Sequence, residues 1–183
     1  MAALVAGCGG GTDPSGTADG GTAGTQEVNP AGDIPDNQAF VTYRPPAGGF
    51  TVEVPEGWSR TTSGDTVVFT DKLNRIEIVS ASSNAGPTTQ SVTSQVVPAL
   101  RQKVPGFALG KVSTVSRKAG SVVLLTYQGD SGTNAVTGKA VHDAFERYAF
   151  HQQGREVDLT LSGPVKADNV DPWRIVSDSL RWQ

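Results

Sequence analysis

From residue 50 onward, apolar and polar side chains alternate in short runs, the period of two that marks half-buried strands. Phe50, Val52 and Val54 alternate with Thr51 and Glu53, and Pro55-Glu56-Gly57-Trp58 closes that run as a turn capped by the indole. Residues 66–70 and 75–80 flank Asp71-Lys72-Leu73-Asn74, which has the make-up of a hairpin loop. Residues 121–128 and 140–151 are apolar on both parities, so those strands are expected to be covered from both sides. Val157, Leu159 and Leu161 alternate with Glu156, Asp158 and Thr160, which leaves one wet face; a further strand is expected over 109–116. Two stretches switch to the helical period. Residues 88–104 place Val92, Val96, Leu100 and Val104 on one stripe, with Pro98 expected to kink or split the helix because it removes a backbone donor. Asp171-Pro172-Trp173 reads as a helix start, an N-cap carboxylate followed by Pro at the first helical position, and Trp173, Val176 and Leu180 then share a face. The predicted order is β-β-β-α-β-β-β-β-α. Tight connections make the neighbouring strands antiparallel, with helices laid over the sheet, and the class is α+β.

Ahead of this region the chain changes character. Residues 9–35 are mostly Gly, Ser, Thr, Asp, Pro and Ala, with too little apolar surface to offset the entropy of ordering. They are expected to form a disordered tether spanning roughly 25–30 Å, which joins residues 1–8 to a folded domain over 36–183. The chain opens MAALVAGCGGG, where Val5-Ala6-Gly7-Cys8 matches the lipobox of bacterial lipoproteins, an aliphatic residue and two small ones before the cysteine. Small side chains let a signal peptidase approach extended backbone, and the thiol accepts diacylglycerol. Each buried acyl methylene contributes about 0.8 kcal/mol, so two or three chains hold a soluble domain at a membrane. Cys8 is therefore the candidate lipid-attachment residue. An export signal also has a positive n-region and an apolar stretch of roughly 7–15 residues. No Lys or Arg precedes Cys8, so that n-region is expected upstream of Met1.

Composition narrows the chemistry. The 183 residues carry 15 Lys+Arg against 18 Asp+Glu, a net charge of −3, which gives no basic face for nucleic acid. No apolar run reaches the roughly 18–20 residues that cross a bilayer. A single Cys forbids an internal disulfide. On a regular strand over 140–151, His142 and His151 point to opposite faces and lie about 30 Å apart. Asp168-Asn169-Val170-Asp171 reads as helix capping rather than a calcium loop. Neither a metal nor a cofactor is expected.

One string suggests a nucleophile: Gly129-Asp130-Ser131-Gly132, the motif of chymotrypsin-like proteases. Those enzymes need a His and an Asp earlier in the chain, and no His precedes Ser131; another order would draw on His142 or His151. Gly, Asp and Ser between two apolar strands also suit a hairpin loop, and a loop is the expectation. Trp173 and Trp182 are expected to fasten the last helix to the sheet. Glu146-Arg147 and Arg155-Glu156 are expected to be solvated strand faces.

The run GGFTVEVPEGWSR resembles the start of PsbP-like domains, and both VPGFAL after the kinked helix and the closing SDSLRW are similar to that family. With the lipobox and polar tether, residues 43–182 resemble actinobacterial lipoproteins of the LpqN/LpqT type. The resemblance implies an α-β-α sandwich, a central antiparallel sheet covered by helices. It implies no catalytic residue, because this fold hosts accessory and binding roles. The expected function is a non-catalytic lipoprotein of the cell envelope, anchored on the extracytoplasmic face of the cell membrane and binding an envelope protein or small amphiphilic ligand. The alternative is a Ser-dependent esterase built on Ser131.

Overall fold

The computed structural model describes residues 32–133 and 138–183; Cys8, the lipobox and residues 9–31 lie outside the described residues. The strands are β1 (Phe40–Tyr43), β2 (Phe50–Pro55), β3 (Ser59–Ser63), β4 (Thr66–Asp71), β5 (Asn74–Ser82), β6 (Ala108–Arg117), β7 (Gly120–Thr133), β8 (Ala140–Gln152), β9 (Arg155–Pro164) and β10 (Arg181–Trp182). The helices are α1 (Thr89–Ser91), α2 (Val97–Lys103) and α3 (Val170–Ser179), with a π-helical turn at Val92–Val96 joining the first two. Seven strands form one antiparallel sheet in the order β3-β4-β5-β9-β8-β7-β6, while β1-β2-β10 form a separate sheet.

Both faces of the large sheet are apolar, and each has its own cover. On one face Phe69, Ile76, Ile78, Leu159, Leu161 and Phe150 pack in a cluster with Phe50, Val52 and Val54 of β2 and with Trp173 and Val176 of α3. On the other, Val123, Leu125, Tyr127 and Ala149 pack against Val92 and Val97. The α+β class and the antiparallel sheet match the expectation. The expected cover of helices is shared on the first face: β1-β2-β10 lies there beside α3, because β2 is buried on both parities and needs a layer of its own.

Several local expectations are corrected. Pro98 does not split the helix. The π turn ahead of it carries the Val97 N–H to the Val92 carbonyl, five residues back, which moves the missing donor to the start of α2 where no bond is lost. The wider turn also shifts the apolar stripe, so Val92 and Val97 are the buried pair (2% and 6% exposed), with Val96 only half-buried. The last helix starts at Val170, so Asp171 lies in its first turn and Asn169 holds the N-cap position without capping. That helix stops at Ser179, and Trp182 belongs to β10, paired with Phe50. Gly129-Asp130-Ser131-Gly132 is not a loop: β7 runs through it, and a register shift makes Ser131 the extra residue of a bulge.

Ordered packing reaches back into the stretch assigned to the tether. The Asn169 side chain accepts the Ile34 N–H (2.8 Å) and donates to the Gly32 carbonyl (3.1 Å) and to Asn74 Oδ1 (3.0 Å); Asn74 donates to the same Gly32 carbonyl (2.7 Å). Ile34 is 5% exposed. Gly163 lies under this clasp, where a Cβ would collide with both amides. The clasp fixes where residues 9–31 join the domain. Asn169→Ala would strip the partner from the buried Ile34 N–H and from Asn74 Oδ1, while the Gly32 carbonyl keeps Asn74, at a cost of about 1–3 kcal/mol; a urea titration should show the midpoint lowered at unchanged slope.

Candidate functional site

The register of β7 against β8 sets Asp130 opposite His142 and Gly129 opposite Asp143. His142 Nδ1 lies 3.0 Å from Asp130 Oδ1, while Asp143 is 1% exposed, its carboxyl pushed up by burial and drawn back by the neighbouring Ser131 hydroxyl. The loop after α2 closes over this end, with the Asp130 N–H donated to the Pro105 carbonyl at 2.8 Å. Thus the structure gathers Asp130, Ser131, His142 and Asp143, but the partners are crossed: the histidine meets one aspartate and the serine the other. A serine nucleophile needs its own proton acceptor to be the histidine. His151 sits at the far end of β8, its Nε2 3.0 Å from the Ser83 carbonyl, a contact that calls for the Nε2–H tautomer. Among the described residues no group of three or more His, Cys, Asp or Glu is placed to hold a metal ion.

Charges expected to be solvated on β8 are instead tied into networks. Arg147 pairs with Asp158 of β9, and burial pushes the Asp158 carboxyl up to about 6 even with that guanidinium beside it. Glu146 Oε2 accepts the Tyr148 O–H at 2.6 Å, and the Tyr148 oxygen accepts an Arg117 N–H at 2.9 Å. Arg117 also donates to Ser177 of α3 at 3.0 Å and pairs with Asp178 at 3.7 Å. Burial first, then Glu146, pushes the Tyr148 hydroxyl up to about 12. Arg155 is spent on the Gly48 carbonyl. No local pattern flags these residues, since Arg117, Tyr148 and Ser177 are brought together only by the fold.

Each helical cover is narrower than the sheet beneath it, and a groove opens beside each. Beside α2 a cavity of about 350 Å³ is walled by Val96, Ala99 and Leu100 and floored by Glu77, Arg147 and Asp158. Beside α3, on the opposite face, a cavity of about 370 Å³ lies over β6, β7 and β8. A third, of about 640 Å³, runs between α3 and the small sheet and carries Glu53, Asp171 and Asp178 against Lys118, Arg174 and Arg181. Concave, mixed-polarity clefts of this size are what binding domains present to small ligands.

The fold itself is a known one. The solution structure of cyanobacterial PsbP (CyanoP) from Synechocystis sp. PCC 6803 is similar at a TM-score of 0.57, with 16% identity over 86% of this chain and 96% of that one. A crystal structure from Bacteroides thetaiotaomicron VPI-5482 also gives 0.57, with 11% identity over 78% of this chain; the match spans about half, 48%, of that longer chain. LpqN, involved in cell envelope biogenesis of Mycobacterium tuberculosis, gives 0.46 with 14% identity over 81% of this chain and 92% of its own, a likeness too slight to carry an argument. No family model matches the chain. No curated protein does either. The fold is therefore PsbP-like, a mostly antiparallel sheet with few helices, and the likeness speaks for the fold alone.

Asp158 gives a pH test. Its carboxyl is raised above the unfolded value of about 3.9, so between roughly pH 4 and 6 the native state holds more protons and stability falls as pH rises through that window. Urea midpoints of the wild type should decline across it relative to Asp158→Asn. Parallel profiles would place the group outside the buried network.

Proposed function

We propose that this chain is a non-catalytic binding or accessory module held at the extracytoplasmic face of the cell membrane by acyl chains on Cys8. The observation that carries the reading is the sole cysteine, preceded by Val5-Ala6-Gly7 and followed by a Gly-, Ser-, Thr- and Pro-rich stretch that leads into the clasped segment at Gly32. An acylated cysteine on such a tether keeps a domain at a lipid surface while leaving its grooves free. The domain it carries suits binding: Arg147 and Glu146 are tied to Asp158 and Tyr148, and clefts lie on its surface.

A second reading, an esterase using Ser131, draws on the Asp130–His142 contact one residue away. The geometry argues against it, because the partner of His142 is Asp130 and Ser131 is the extra residue of a bulge beside Asp143, whose carboxyl burial raises. Cells making the full chain should incorporate radiolabelled palmitate in a globomycin-sensitive manner, and Cys8→Ser should take up none. Wild-type protein without label would reject the anchor. Ser131→Ala should leave the hydrolysis of generic p-nitrophenyl esters at background, equal to wild type; a wild-type rate that disappears in the variant would establish the esterase.

A further inference from the structure

We propose that the groove over β6, β7 and β8, beside the indole of Trp173, binds a small organic cation, an ammonium group carried on an apolar body. The inference deepens the binding-module reading and rests on it only in taking the domain to work by binding; acylation of Cys8 has no part in it. Three observations carry it. First, the cavity of about 370 Å³ is lined by Leu109, Thr126, Gln128, Ala144, Glu146 and Trp173 among others, and Glu146 is the one lining residue with a formal charge. Second, that carboxylate is held in place. Its Oε2 takes the Tyr148 O–H at 2.6 Å, and Arg117 reaches the same hydroxyl at 2.9 Å, so the positive charge stands behind the tyrosine. Third, aromatic and apolar side chains share the lining: Trp173, 9% exposed, borders one side, and Leu109 stands 43% exposed.

A carboxylate beside an indole is the pairing that recognises ammonium groups, by a charge-assisted hydrogen bond and by attraction to the ring. An anion would face a like charge at the groove wall, and a neutral polar ligand would gain less from the carboxylate. Two of the other clefts lack this single sign. Beside α2, Asp158 is already committed to Arg147 and Lys103 stands at the wall. In the largest groove, Arg174 and Arg117 share Asp178, and acids and bases are present in equal number. A cleft of about 150 Å³ at Tyr43 and Phe50 also carries a single acidic residue, Asp65, but the groove beside Trp173 is more than twice its size and its carboxylate is fixed by the Tyr148 hydroxyl.

The test titrates isotope-labelled full-length protein with phenethylammonium and, separately, with 2-phenylethanol, following backbone amides and the tryptophan indole N–H by NMR. The amine should shift Leu109, Gly110, Thr126 and the Trp173 indole with a Kd on the order of 1 mM, the scale for about nine non-hydrogen atoms. The alcohol should bind about fivefold or more weaker, because it cannot form the charge-assisted bond. Glu146→Gln keeps an acceptor for Tyr148 and should weaken the amine to the level of the alcohol. Leu109→Lys sets a like charge at the rim without touching the Tyr148 bond, and should also weaken it. Equal affinity for amine and alcohol, shifts confined to the other clefts, or unchanged binding in Leu109→Lys would each overturn the proposal. None of these outcomes bears on palmitate incorporation, so the anchor and the site stand or fall separately.

Discussion

The two central strands, β7 and β8, carry apolar side chains on both parities, and most of the architecture answers to that. A sheet that is greasy on both sides must be covered on both sides. Among the described residues two helical stretches do it, one over residues 89–103 and α3 over Val170–Ser179. The first lies on Val123, Leu125 and Ala149; the second shares the opposite face with the small β1-β2-β10 sheet. Neither cover spans seven strands. The grooves beside α2 and beside Trp173 are what remains uncovered on each face, so the clefts follow from the shortage of helix.

Covering the sheet brings polar groups inside with the apolar ones. Glu146 and Arg147 precede the buried run of β8, and each finds a partner: Tyr148 two residues along the same strand for Glu146, Asp158 on β9 for Arg147. Leaving either charge unpaired at that depth would cost more than the pair itself contributes. The same logic explains the Asn74–Asn169 clasp, where two amides satisfy backbone groups of Gly32 and Ile34. These contacts fix α3 and the approach of the tether to the domain. They do so with hydrogen bonds that have direction, whereas apolar packing alone has little.

Where the chemistry of a segment is local, the order along the chain is legible. Alternation marks β2, β4, β5 and β9, two-sided apolar runs mark β7 and β8, and the Lys72-Leu73 turn falls where a hairpin is read. The missed strands have plain reasons. The five residues of β3 are all exposed, so no apolar period exists to be seen, and β10 is two residues long. The Gly129–Gly132 string carries loop composition, yet cross-strand pairing to β8 holds it extended and absorbs the misfit as a bulge at Ser131. Pro98 carries a helix-breaking signal, and a π turn accommodates it, because Val92 and Val97 both gain burial by staying on one rod.

Sequence by itself therefore settles the order of most strands, the positions of the helices and the two-sided nature of the sheet's centre, since each rests on neighbours within a few residues. The tertiary structure alone decides which face each cover takes, why Glu146 and Arg147 are not solvated, and how Ser131 and His142 come to have different aspartate partners. Those outcomes turn on contacts between residues far apart in the chain, such as Arg117 with Ser177 or Ile34 with Asn169, for which no spacing along the sequence leaves a trace.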